Sequence, residues 1–156
     1  MDKATAPETT KTALLAACKG YVNQRIANAQ QAIASANDAA QDDTKSSAGD
    51  KFETTREMMQ QELKRHHQLL ADAKRMEHVL VNIDMRMDQG PVRLGSLVTT
   101  NRGIFFIAIS MGQLQIGNVS YWVISAVSPL GQRLMGMQAG EQVVFNGTEY
   151  QVLSFC

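Results

Sequence analysis

From about Pro7 to about Ile83, apolar residues recur at alternating intervals of three and four. They fall at Leu15, Cys18, Val22, Ile26, Ala29, Ile33, Ala36 and Ala40. They fall again at Met59, Leu63, His66, Leu70, Ala73, Met76, Leu80 and Ile83, with His66 the single polar position. That spacing lines one stripe of a helix and is the seam of a coiled coil. Pro7 and Thr9 or Thr10 supply start signals. Between the two sets lies Gln41 to Glu53, QDDTKSSAGDKFE, rich in charge and poor in bulk. Gly49 permits a tight turn, and Ser46, Ser47 and Asp50 are N-capping types. Asp50 stands three residues before Glu53, as in a capping box. The pattern predicts an antiparallel helical hairpin with its bend at 41–53. Each arm would hold roughly 30 residues and reach about 45 Å at ~1.5 Å per residue. Ala36 and Ala40 facing Phe52 and Met59 would let the arms close without gaps.

From about Asp84 the period changes. Asp88-Gln-Gly-Pro91 breaks the helix. Strands are predicted at Leu94–Thr100, Gly103–Ser110, Leu114–Ile116 and Tyr121–Ser125. A closing hairpin, Glu141–Asn146 with Tyr150–Phe155, is expected around Asn146-Gly147. Ser128 to Gly136 reads as a short helix, with a Ser cap, Pro in the first turn and Gly at the end. The expected fold class is α+β: a helical hairpin over 1–84, a linker over 85–91, and over 92–156 a small, mostly antiparallel sheet with one helix.

Composition narrows the function. The chain has 156 residues, 44% of them apolar and 19% charged, which favours a globular protein over a disordered one. Lys plus Arg equals Asp plus Glu at 15 each, so no bulk basic field advertises nucleic acid. Cys18 and Cys156 form neither a disulfide framework nor a metal motif, which points to a reducing compartment. MDKATAPETTK lacks an apolar signal core, and the run Ile104–Ile109 is too short to cross a membrane. A cytoplasmic protein without membrane contact is expected.

The candidate chemistry is sparse. His66 and His67 point about 100° apart on a helix and do not converge on a metal, although Glu62 and His66 share a face. Trp122, Phe105 and Phe106 read as core more readily than as a stacking platform. Arg93, Arg102 and Arg133 read as scattered surface charge or a modest docking patch. No catalytic set stands at recognisable spacing, so the chain is not expected to be an enzyme itself.

One region carries a resemblance. Ser128-Pro-Leu-Gly-x-x-Leu-x-Gly136, then Ala139-Gly140-Glu-x-Val143 and a Tyr-x-Val strand, resembles the C-terminal domain of the bacterial Gre transcript-cleavage factors. Gly95-Ser-Leu-Val-Thr99 resembles that domain's opening strand. The order of hairpin, linker and sheet also resembles the family. The likeness is specific over about the last 60 residues.

The resemblance implies an FKBP-like C-terminal fold. It also implies a partner, core RNA polymerase, entered through its secondary channel, with nucleic acid met only in the elongation complex. In such factors two acidic residues at the hairpin tip help hold a second Mg²⁺, and the polymerase cleaves its own backtracked RNA. No cofactor of the chain's own is implied, only Mg²⁺ shared with the polymerase, and the factor would act as a monomer.

The Gre tip pattern is roughly Asp-Leu-x-Glu-Asn-Ala-Glu-Tyr. Laid over this chain, Asp43 keeps the first acid and Ala48 the alanine, while Ser46 replaces the second acid and Thr44 the apolar residue. Asp43 is then the first candidate for a metal-facing residue, with Asp42 and Asp50 as substitutes for the missing carboxylate. Lys45, Ser46, Ser47 and Lys51 at the tip, and Ser128, Pro129, Leu130, Gly131 and Arg133 in the small domain, are candidate partner contacts. The alternatives are a channel-binding regulator that does not promote cleavage, and an interaction adaptor with no polymerase contact.

Overall fold

The computed structural model describes residues 7–46, 50–85 and 90–156, with the side chains of 40 and 42–53 outside the description. Two long helices come first: α1 (Pro7–Ser46) of 40 residues and α2 (Asp50–Val81) of 32. The stretch expected to bend is therefore mostly helix. Gly49 is the only strong helix breaker in the sequence there, and Asp, Gln, Lys and Ser cost only tenths of a kcal/mol each in a helix.

The chain separates into two compact units, Met1–Lys19 with Val79–Cys156, and Gly20–His78. Within the second unit, Met59, Leu63, His66, Leu70 and Met76 are half-buried and Ala73 is buried. Those are the positions the three-four spacing selects. On the α1 side Val22 and Ala29 are buried, with Ile26, Ile33 and Ala36 half-buried.

The first unit holds a six-stranded sheet. Its strands are β1 (Leu97–Thr100), β2 (Gly103–Ala108), β3 (Gly112–Ile116), β4 (Val119–Ser125), β5 (Gln142–Phe145) and β6 (Thr148–Phe155). The short helix α3 (Pro129–Leu134) falls between β4 and β5. The spatial order is β3-β4-β2-β1-β6-β5. The sheet is mixed rather than antiparallel throughout, because β2 and β4 pair in parallel. The β3–β4 hairpin brings β4 back between β3 and β2, so β4 must run in the direction of β2. The first strand begins at Leu97 rather than Leu94. Gly95, with φ +92, and a Ser96 hydroxyl that accepts from the Arg93 amide at 2.9 Å turn the chain just before it.

One face of the sheet carries the core. Val98, Phe105, Ile107 and Val152 pack there with Val92, Leu134 and Met137. Phe106, Val123 and Ala108 are also buried, though alternation along their strands places them on the other face. Leu14 and Cys18, both in the same unit, are fully buried. The seam at the start of α1 thus passes through Leu14 rather than Leu15, which is only half-buried.

Lys11 is buried at 1% exposure, and its Nζ donates to the Cys156 carbonyl at 3.1 Å. That carbonyl also accepts from the Leu97 amide at 2.9 Å, and the Cys156 amide donates back to the Leu97 carbonyl at 3.1 Å. Among the described residues, no helix is long and apolar enough to cross a membrane.

Burial pushes the Cys18 thiol up from 9.0 to about 11. Between those values an unfolded chain releases the proton while the folded chain keeps it, so stability falls as pH rises through that window. Replacing Cys18 with Ala should lessen the fall, as read from urea midpoints of both chains across alkaline pH. Iodoacetamide should label Cys18 only once denaturant is present.

Candidate functional site

The Ser128–Gly136 motif folds into a capped turn of helix on the sheet. The Ser128 Oγ accepts from the Gly131 amide at 3.1 Å and donates to the Ser125 carbonyl at 2.6 Å. Ser128 thus closes both the helix start and the β4 exit, because a hydroxyl can donate and accept at once. Pro129 occupies the first turn, where its missing N–H costs nothing. The Met135 amide returns to the Gly131 carbonyl at 2.9 Å, and Gly136, with φ +81, reverses the chain. The Gly136 amide then reaches the Val92 carbonyl at 2.7 Å.

Gly131 is fixed by a close approach. A Cβ there would run into the Ser125 carbonyl oxygen and sit 2.8 Å from the Ser128 Oγ. Leu134 is fully buried, and Leu130 packs against the same core. Of the predicted contact residues in this region, Ser128, Leu130 and Gly131 are thus committed to the fold. Pro129 and Arg133 are exposed, beside Val127 at 77% exposure and Met135 at 37%. Val127 and Met135 carry no sequence signal that separates them from core residues.

The tip candidates stand differently. The side chains of Asp42, Asp43, Lys45, Ser46, Ser47, Asp50 and Lys51 lie outside the described residues. Among the described residues, no group of three or more His, Cys, Asp or Glu could hold a metal ion.

Within the helical unit, Ala29 and Ala32 leave an open groove of about 390 Å³, lined also by Arg25, Asn28, His66 and Leu69. The Arg25 Nη1 donates to the Tyr21 hydroxyl at 2.8 Å, with its guanidinium 5.3 Å from the Tyr21 ring centre. The His66 Nε2 lies 3.3 Å from the Glu62 Oε2, and the Arg65 Nη2 lies 2.9 Å from the same oxygen. The hydrogen bond from Arg65 holds the Glu62 carboxyl below the usual range, with His66 adding to the effect. The face that Glu62 and His66 share therefore carries a hydrogen-bonded cluster, with Glu62 and Arg65 exposed and His66 half-buried.

Trp122, read as core, is 42% exposed. It stands opposite Gln113 on β3 and Phe105 on β2. The indole edge lies in ordinary contact distance of where a Gly103 Cβ would be, 3.6 Å from Cδ1. α3 packs against β4 and β5, and the part of the face near β3 carries the exposed Gln113, Gln115 and Ser120. An apolar strand pattern predicts a buried tryptophan only where a layer covers it.

No protein-family model, curated protein or solved structure matches the chain.

Gly131→Ala should cost about 1–3 kcal/mol by chemical denaturation, since backbone rather than a flexible side chain must move. Arg133→Ala, at an exposed position, should stay within about 0.5 kcal/mol.

Proposed function

We propose that this chain is a Gre-like factor that binds core RNA polymerase through the secondary channel and modulates elongation in the cytoplasm. The observation that carries the reading is the Ser128–Gly136 motif. Its conspicuous residues form one capped, close-packed unit, with Gly131 pressed on the Ser125 carbonyl. Its place in the chain also fits, behind two helices of 40 and 32 residues joined at an acidic stretch. At ~1.5 Å per residue those helices run about 60 and 48 Å.

In this reading 92–156 is an FKBP-like docking domain, and Pro129 and Arg133 face the polymerase. The two helices form a coiled-coil hairpin that carries the tip. Asp43, with Asp42 or Asp50, would share a Mg²⁺ with the polymerase. The chain is then not itself an enzyme, and the cleavage it stimulates is the polymerase's own.

A second reading rests on the tip sequence. Ser46 stands where the family pattern has its second acid, and Lys45 and Lys51 add positive charge beside it. One lost carboxylate removes half the ligand pair, so a channel-bound regulator that does not stimulate cleavage also fits. An adaptor independent of polymerase remains the reading if binding fails.

Core polymerase should retain the chain in a pull-down, and a Gre factor added in excess should displace it. Absence of binding to the cognate polymerase would remove this proposal and leave the adaptor. On a stalled, backtracked complex, Asp43→Ala should abolish stimulated cleavage while retention on the polymerase stays unchanged. Unchanged cleavage in that variant would remove the metal role of Asp43.

A further inference from the structure

Three hairpin turns of the sheet carry an exposed asparagine, and their amides differ in freedom. In the β1–β2 turn the Asn101 amide is held at both ends. Its Nδ2 donates to the Glu149 carbonyl at 3.3 Å, and its Oδ1 accepts from the Gln151 amide at 2.8 Å. In the β3–β4 turn Asn118 is followed by Val119, whose branched Cβ crowds the intervening peptide nitrogen. In the β5–β6 turn Asn146 is followed by Gly147, the only Asn-Gly pair in the sequence. Both residues are exposed, with φ of +51 and +75, and Asn146 is the only non-glycine with positive φ among the described residues. No side-chain hydrogen bond holds the Asn146 amide among the described residues.

We infer that Asn146 is a site of spontaneous covalent modification, in which the Gly147 backbone nitrogen closes on the Asn146 side-chain carbonyl. The nitrogen gives its proton to a solvent base and attacks Cγ. A C–N bond forms, the side-chain amide leaves as ammonia, and a five-membered imide remains. Water then opens either imide carbonyl. One product has aspartate at 146; the other has the main chain rerouted through the side chain, one methylene longer. No oxidant or cofactor is needed.

The turn makes this step open and its product consequential. Glycine offers no Cβ to block the approach, and no side-chain bond competes for the amide. The rerouted product lengthens a two-residue connection whose register, Phe145 opposite Thr148, depends on its length. Among the described residues β5 is an edge strand, paired with β6 alone, and α3 rests partly on it. Modification at 146 therefore loosens β5 and the support under α3.

The test is peptide mass mapping of the intact chain, aged in warm, mildly alkaline buffer. The Asn146 peptide should gain about one dalton, with the imide as a lighter intermediate. It should do so about tenfold ahead of the Asn118 peptide, given the branched neighbour there. Conversion of Asn118 or Asn101 at the same rate, or an unchanged Asn146, would overturn the assignment. Gly147→Ala is a poor control because its φ is +75. Asn146→Gly keeps the turn and cannot form the imide, so its hairpin peptide should hold its mass. After ageing, the Val143–Phe145 amides of the unsubstituted chain should exchange about tenfold faster than those of Asn146→Gly. Equal exchange would sever the link to β5.

Discussion

The Cys156 carbonyl ties together three segments that lie far apart in the chain. It accepts from the Leu97 amide and from the Lys11 ammonium, and the Cys156 amide closes the pair back onto Leu97. Removing a charged amine from water is costly, so a lysine at 1% exposure is retained only when its donors find acceptors. The bond is directional, and it sets the start of α1 against the β1–β6 pair. Leu14 and Cys18, one and two turns further along, then bury their side chains in the same unit. The remainder of the sheet builds outward from β1, which has β2 on one side and β6 on the other.

The same economy appears where backbone meets backbone. Gly95 sits so close to the Asp84 carbonyl and the Ile83 side chain that a Cβ would lie 2.8 Å from each. Gly131 does the same against the Ser125 carbonyl. These approaches explain why a sparse pattern of Ser, Pro, Leu and Gly can mark the domain without any of them being reactive. Ser128 spends its hydroxyl on a cap, Leu134 its side chain on the core, and Gly136 its conformational freedom on a reversal. What such a motif leaves exposed is its periphery, Pro129, Arg133 and Val127.

Local periodicity made much of this legible. The α2 seam from Met59 to Leu80 falls on its least exposed positions, because one helix face decides burial there. The start of α1 departs by one residue because residues 7–19 pack within the unit that holds the sheet, not within the helical unit whose seam sets the spacing. The hairpin at Asn146-Gly147 follows from glycine's tolerance of positive φ. The parallel pairing of β2 with β4 is not legible, since hairpin signals report only neighbours in sequence. Lys11 gives no sign either: within Glu8-Thr-Thr-Lys-Thr12 it reads like any solvated helix lysine. Trp122 was misread because strand pattern says which face a residue takes, not whether anything covers it. The acids of the 41–53 stretch are legible only as charge, and the side chains of Asp42, Asp43, Asp50 and Glu53 lie outside the described residues.

The Lys11–Cys156 bond joins residues 145 apart in the chain. Synthesis from the N-terminus delivers Gly20–His78, a compact unit of its own, well before β6 exists. Helices of that length can pair on the microsecond scale, whereas β1 must wait for more than fifty further residues before it meets its second neighbour. On a ribosome the Cys156 carbonyl reaches Lys11 only after 145 further residues, about 7–29 s at roughly 5–20 residues per second. Until β6 emerges, one edge of β1 stays unpaired, and unpaired strand edges are the aggregation-prone feature of a partly made sheet.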